Sequence, residues 1–161
     1  MNDAETRLRR LERIVAIGQD LTSTVALEPL LKKIATTAAE LTGSEGASIL
    51  LLDHQTSELR FCAAASDPSG RLATIPVPIE GSIAGTVLTS GQPIIVADAQ
   101  RDPRHYGEVG QQVGFETRSL LAVPLQIKEH PIGVLEAVNK QSDQEFVAED
   151  VETLMALATP A

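Results

Sequence analysis

The stretch RSLLAVPLQIKEHPIGVLEAVNK, residues 118–140, decides the fold. Its two halves, 118–127 and 131–140, are apolar runs rich in Leu, Val and Ile, with a polar turn near Lys128-Glu129-His130. Two such runs around a short polar break read as antiparallel strands joined in a hairpin. Upstream, residues 93–97 (PIIVA) read as another strand, and 82–90 (SIAGTVLTS) suit a short helix, with Ser82 as N-cap and Gly91 as its stop. Residues 73–79 (ATIPVPI) are extended, because two prolines forbid helix and favour a sheet edge. Earlier still, 46–53 (GASILLLD) and 58–65 (ELRFCAAA) flank the turn-forming His54-Gln55-Thr56-Ser57 and make a second hairpin.

Helical spacing appears only toward the two ends and in the short central helix. A helix over 26–42 places Leu27, Leu30, Leu31, Ile34, Ala38 and Leu41 on one face, with Pro29 in its first turn and Gly43 as its stop. A closing helix over 146–158 carries Phe146, Val151, Leu154, Met155 and Ala158 as its apolar set. Residues 4–21 read as a further helix. Leu8, Leu11 and Val15 fit a short heptad seam for dimerisation, and an amphipathic helix lying on its own domain fits equally. Asp98 to Gly114 is a long polar segment with one or two short helices, and a loop of this length inside a compact domain is usually functional. Hairpins clustered between end helices imply an α+β fold, an antiparallel sheet with helices on one side. Strands do not alternate strictly with helices, which argues against a parallel wound fold.

The chain has 161 residues, of which 43% are hydrophobic and 22% charged, enough for one domain with a real core. It contains no apolar run of about 18 residues, so no membrane span is expected. The beginning, MNDAETRLRRLER, is too polar for a signal peptide, and a cytoplasmic location follows as an expectation. A net charge of −9 argues against nucleic acid as a partner. The basic Arg7, Arg9, Arg10 and Arg13 alternate with Glu5 and Glu12 and read as a solvated helix face. Cys62 is the single cysteine, and His54, His105 and His130 lie far apart, so neither a disulfide nor a metal site is expected. Cys62 sits among small apolar residues and reads as core filler. Neither a phosphate-binding glycine loop nor a nucleophile elbow is present. The carboxylates of Glu149-Asp150-Val151-Glu152 stand at a helix start, where they complement the helix dipole.

Four pieces, in this order and spacing, carry a family pattern: GSIAGTVLTSGQPIIVADAQRDPR (81–104), GFETRSLLAVPL (114–125), IGVLEAVNK (132–140) and FVAED (146–150) followed by an apolar helix. The chain from about 25 to 158 resembles GAF domains, a PAS-like sensory family. The resemblance implies a six-stranded antiparallel sheet. Helices from both chain ends would cover one face, and the short helix and irregular segment would enclose a pocket on the other. It further implies three parts: a linker or dimerisation helix over 1–24, the domain over 25–158, and an end piece at 159–161 suggesting a boundary inside a longer protein. Asn139, Lys140, Phe146 and Asp150 match the family's asparagine–lysine, phenylalanine, aspartate–glutamate signature. Val151 stands where its final glutamate would be, which weakens the case for a cyclic nucleotide. The resemblance gives these residues a structural role, with a Lys–Asp pair bridging strand end and helix.

The expected function is a non-catalytic, small-molecule-sensing regulatory domain of a larger signalling protein. It would act as a homodimer through its terminal helices, with an output domain such as a kinase or cyclase; no cofactor is named by the sequence. The ligand site is expected at the helix start Ser82, Ile83 and Ala84, whose free N–H groups suit an anion or purine acceptor. Asp98, Arg104 and Tyr106 would face it from the covering segment. Thr117, with Arg118 and Ser119, begins a strand, and Thr117 resembles a position that hydrogen-bonds cyclic nucleotide in part of the family. Glu136 lies between apolar neighbours and needs a partner, either a ligand amine or Arg118 across the hairpin. Alternatives are a dimerisation module with no ligand and an enzyme like the free methionine sulfoxide reductases. Those enzymes share the fold but use several cysteines, and Cys62 alone cannot run a dithiol exchange. A bilin photoreceptor is disfavoured because Cys62 lies in an early strand.

Overall fold

The structure is a computed structural model that describes Ala4, Arg7 and residues 24–64, 75–101, 117–127, 130–141 and 144–158. Three helices are described, α1 (Thr24–Thr42), α2 (Ile83–Ser90) and α3 (Ala148–Ala158). The strands are β1 (Ser44–Asp53), β2 (Glu58–Ala64), β3 (Pro76–Pro78), β4 (Ile94–Val96), β5 (Leu120–Ile127) and β6 (His130–Lys140). They form one antiparallel sheet in the order β3-β2-β1-β6-β5-β4. The two-proline strand β3 is an edge, where the missing N–H groups break no central ladder. None of the described helices is long and apolar enough to cross a membrane.

Alternation of side chains along the strands splits the apolar residues into two cores. Ala47, Ile49, Leu121, Val123, Leu125, Leu135 and Ala137 face α1 and α3 and meet Leu31, Ile34, Ala35, Ala38, Leu154 and Leu157. Leu50, Leu59, Leu120, Ala122 and Val134 face the other way and meet Ile83, Ala84, Val87 and Leu88 of α2. The helices from the two ends therefore cover one face, and the short helix covers the other. Ala4, which is helical, packs partly buried against the α1–α3 side. The seam residues Leu8, Leu11 and Val15 lie outside the described residues.

Two details of α1 differ from the sequence reading. The helix begins at Thr24, so Pro29 falls in its second turn rather than its first. Pro29 removes one i→i−4 bond there, but its ring is exposed and leaves the buried stripe intact. Leu41 is not on the apolar face; it is 60% exposed. At about 100° per residue, Thr42 rather than Leu41 continues the stripe of Leu31, Ala35 and Ala38. Thr42 is buried with its hydroxyl satisfied, donating to the Ala38 carbonyl at 2.7 Å and lying 2.6 Å from Ser44 Oγ.

A β-bulge shifts the β1–β2 register: Ile49 pairs with Ala63 and Leu50 with Phe61, leaving Cys62 as the extra residue. Cys62 and Ala63 consequently both face the α1–α3 core. The thiol is only partly buried, and its Sγ lies 3.5 Å from the Arg60 carbonyl.

Candidate functional site

Ser82 is 1% exposed and caps α2 from both sides. Its hydroxyl accepts from the Gly85 N–H at 2.9 Å and donates to the Pro78 carbonyl at 2.5 Å. That second bond ties the helix to β3. Gly85 makes the tie possible. A Cβ at this position would lie 1.7 Å from the Ile79 carbonyl oxygen and 2.4 Å from its carbon. Ser82 is thus fully used in holding α2 against the sheet, and Ile83 and Ala84 put their side chains into the core. The backbone N–H groups of Ile83 and Ala84 have no partner among the described residues. Replacing Ser82 with alanine leaves the Gly85 donor and the Pro78 acceptor unmatched. Denaturant titration is expected to show a loss of about 2 kcal/mol.

Glu136 occupies the middle of the sheet face that carries α2. Across β6 it stands opposite Ser48 of β1 on one side and Ala122 of β5 on the other. Ser48 in turn faces Ala64 of β2. The row Ala64–Ser48–Glu136–Ala122–Ile94 therefore sets small side chains on both sides of one long carboxylate, with Ile94 at its β4 end. The neighbouring rows are bulkier. One is Phe61–Leu50–Val134–Pro124, and the other is Gly46–Val138–Leu120–Val96, open only at Gly46. Glu136 thus lies between small side chains on both neighbouring strands, on the face that packs against α2. Ser48 is 7% exposed, and neither its hydroxyl nor the Glu136 carboxylate has a partner among the described residues. Glu136 is half-buried, and loss of water around the carboxyl pushes its pKa up from 4.5 to about 7. Ser48 was not among the sequence candidates; only strand register places it beside Glu136.

The proposed pairing of Glu136 with Arg118 does not form. Ala122, not Arg118, stands opposite Glu136, and the Arg118 guanidinium reaches Glu45 at the start of β1 instead. The other candidates divide. Asp98 lies on the surface, 54% exposed in its side chain, with its carboxylate 3.3 Å from Arg101 Nε. It precedes a 3-10 turn at Ala99–Arg101. Thr117 and Arg118 lead into β5, away from the Glu136 row. Arg104 and Tyr106 lie outside the described residues, as does the rest of the covering segment from 102 to 116.

The signature residues meet at the other end of β6. Asn139 has φ 57°, and its Oδ1 accepts from the backbone N–H groups of Arg118 at 2.6 Å and Ser119 at 3.1 Å. Lys140 Nζ donates to Asp150 Oδ2 at 2.5 Å and sits 6.0 Å from the centre of the Phe146 ring. The same Asp150 oxygen accepts from the Val147 N–H at 2.9 Å. Asp150 is the third residue of α3, so this is the return half of a capping box. Nearby, Thr36, Ala39, Glu40, Gly43, Ser44, Glu45 and Gln141 line an open cleft of about 380 Å³ at the α1–β1 junction, which does not include Glu136.

Comparison with known proteins agrees with this geometry. A profile of the GAF domain matches residues 24–161. The dual 3',5'-cyclic-AMP and -GMP phosphodiesterase 11A of Takifugu rubripes is 34% identical over 94 residues, covering 58% of this chain. The chain spans 10% of that relative's length, in its GAF region and not its catalytic domain. The GAF domain of an Acinetobacter phosphoenolpyruvate-protein phosphotransferase superposes with a TM-score of 0.69 at 21% identity, covering 99% of this chain and 90% of that one. A type II free methionine-R-sulfoxide reductase from Thermoplasma acidophilum shares the fold at a TM-score of 0.68 and 14% identity, covering 85% and 90%. The profile match runs through the whole sheet and the helices on both its faces, and the chain belongs to the GAF domain family.

Proposed function

We propose that this domain is a non-catalytic sensor that seats a small molecule against Glu136 and Ser48 and passes the change to its terminal helices. The observation carrying this reading is the pair of polar groups without a partner among the described residues, Ser48 Oγ and the Glu136 carboxylate, side by side on an otherwise apolar sheet face. Few polar groups in an apolar concavity are the usual makings of a ligand site. A carboxylate and a hydroxyl select a ligand that presents N–H donors, such as an amine or the edge of a purine. The name of the Takifugu rubripes relative points to cyclic nucleotides, while Val151 in place of the signature glutamate counts against them. The single thiol of Cys62 does not support the dithiol chemistry of the reductase that shares the fold. Isothermal titration with purine nucleotides, cyclic nucleotides and amines tests the reading. A binder whose affinity falls at least tenfold in Glu136→Leu supports it. Equal affinity in the variant, or no binder in the panel, goes against it.

Glu136 also makes a ligand-free prediction. In the unfolded chain its proton leaves near pH 4.5, and in the folded domain near 7. Between these values the folded state holds more protons, so rising pH removes stability through this group, and the penalty is complete above 7. Glu136→Gln is expected to abolish this component. Urea titrations at pH 4.5 and 8 should show the variant gaining about 1–3 kcal/mol on the parent at the higher pH only.

A second reading, a dimerisation module that needs no ligand, draws on Leu41 and Val147, which are 60% and 49% exposed. Sedimentation of the full 161-residue chain tests it: a monomer at high concentration removes this reading.

A further inference from the structure

Given the ligand site proposed above, we propose further that its occupant is a cation carrying N–H donors, a primary ammonium or an amidinium, and that its binding expels a proton from Glu136. The other charges around the sheet are already matched. Arg60 pairs with Asp53 at 3.3 Å, Arg101 with Asp98 at 3.3 Å, Lys140 with Asp150 at 2.5 Å, and Arg118 with Glu45. Lys32 and Lys33 stand exposed on α1, across the sheet. His54 and His130 are exposed at strand ends. Among the described residues none of these groups bonds to Glu136.

The elements packed around Glu136 offer no substitute. α2, with the sequence IAGTVLTS, has no ionisable side chain. β1 sets Ser48 beside the carboxyl, and β5 sets Ala122. The described side chains that β2, β3, β4 and Ala99 place in this core are apolar. Glu80, ahead of α2, and Asp98, ahead of the 3-10 turn, are exposed and carry the same sign as Glu136. Loss of water is accordingly what raises the Glu136 pKa, with no charge among the described residues acting on it. An ionised carboxylate in such surroundings is costly until a counter-charge arrives. A neutral N–H donor supplies a hydrogen bond and leaves the charge uncompensated, whereas a cation with N–H groups supplies both. A quaternary ammonium brings the charge but no donor for Ser48 Oγ. The exchange balances: the carboxyl gives its proton to water, the carboxylate accepts one ligand N–H, and Ser48 Oγ accepts another.

Calorimetric titration of the 161-residue protein with benzylamine and benzamidine, against their neutral counterparts benzyl alcohol and benzamide, tests it. Both cations keep their charge between pH 6 and 8. With Glu136 titrating near 7, their affinity should rise about tenfold from pH 6 to pH 8. At pH 7 the heats should differ between phosphate and HEPES, because the buffer takes up the released proton. The neutral probes should bind at least tenfold more weakly than the cations. Glu136→Gln should bind the cations at least tenfold more weakly at pH 8, with no dependence on pH; the pH series on the parent needs no variant to fold. Equal affinity for charged and neutral probes, affinity flat from pH 6 to 8, or no binding of either cation overturns the cation assignment. A purine that binds the parent and loses affinity in Glu136→Leu would then keep the site and discard only its cationic occupant.

Discussion

Gly85→Ala is expected to destabilise the domain by about 3 kcal/mol or more, the largest effect of any single methyl addition proposed for this chain. The reason is that the added carbon meets backbone, not a side chain that can rotate away. All three of its nearest atoms, at 1.7, 2.4 and 2.6 Å, belong to the main chain of Ile79. Relief requires α2 to lift from β3. Lifting breaks the bond from Ser82 to the Pro78 carbonyl and opens the core around Ile83, Val87 and Leu88. The helix itself would gain from alanine, by about 1 kcal/mol in propensity, so a net loss measured by denaturation isolates the packing. Because α2 covers the Glu136 face, any binding at the proposed site should weaken with it.

Asn139→Ala is expected to cost about 2–4 kcal/mol, through two separable causes. Alanine at a positive φ is strained by about 1 kcal/mol. The lost Oδ1 leaves the N–H groups of Arg118 and Ser119 without their acceptor, at about 1–3 kcal/mol for buried donors. Two companions divide the causes. Asn139→Gly keeps the backbone conformation and loses only the acceptor, so it should be the milder by about 1 kcal/mol. Asn139→Asp retains an oxygen in place and should be milder than alanine as well. If Asn139→Gly costs nothing while Asn139→Ala still costs about 1 kcal/mol, the side-chain bonds contribute nothing.

The sheet could be read from the sequence because its strands are short apolar runs bounded by turn chemistry, and because two hairpins and two prolines fix which strands neighbour and which lie at an edge. What could not be read depended on offsets of a single residue. Leu41 and Thr42 exchange roles because a buried threonine can satisfy its hydroxyl on the preceding turn, which hydrophobicity does not record. Cys62 faces the α1–α3 core beside Ala63 because of a bulge that no spacing announces.

The site shows the same limit. Glu136 stood out in IGVLEAV as a charge among apolar residues, a signal independent of pairing. Its neighbour Ser48 is one small residue in GASILLLD, and its place beside the carboxylate follows only from the β1–β6 register. Arg118 looked like a partner for Glu136 because both lie on the hairpin. Register sets Ala122 there, and Arg118 finds Glu45, a residue distant in sequence. Ser82 was read correctly as a cap, and its hydroxyl is engaged by Gly85 and Pro78.

The most direct test of the proposed ligand site is a carbon-detected NMR titration of the Glu136 side chain in the ligand-free protein. A carboxyl that has lost its water on an apolar sheet face should titrate near 7. A midpoint near 4.5 would show a solvated or paired carboxylate and no vacant acceptor on that face.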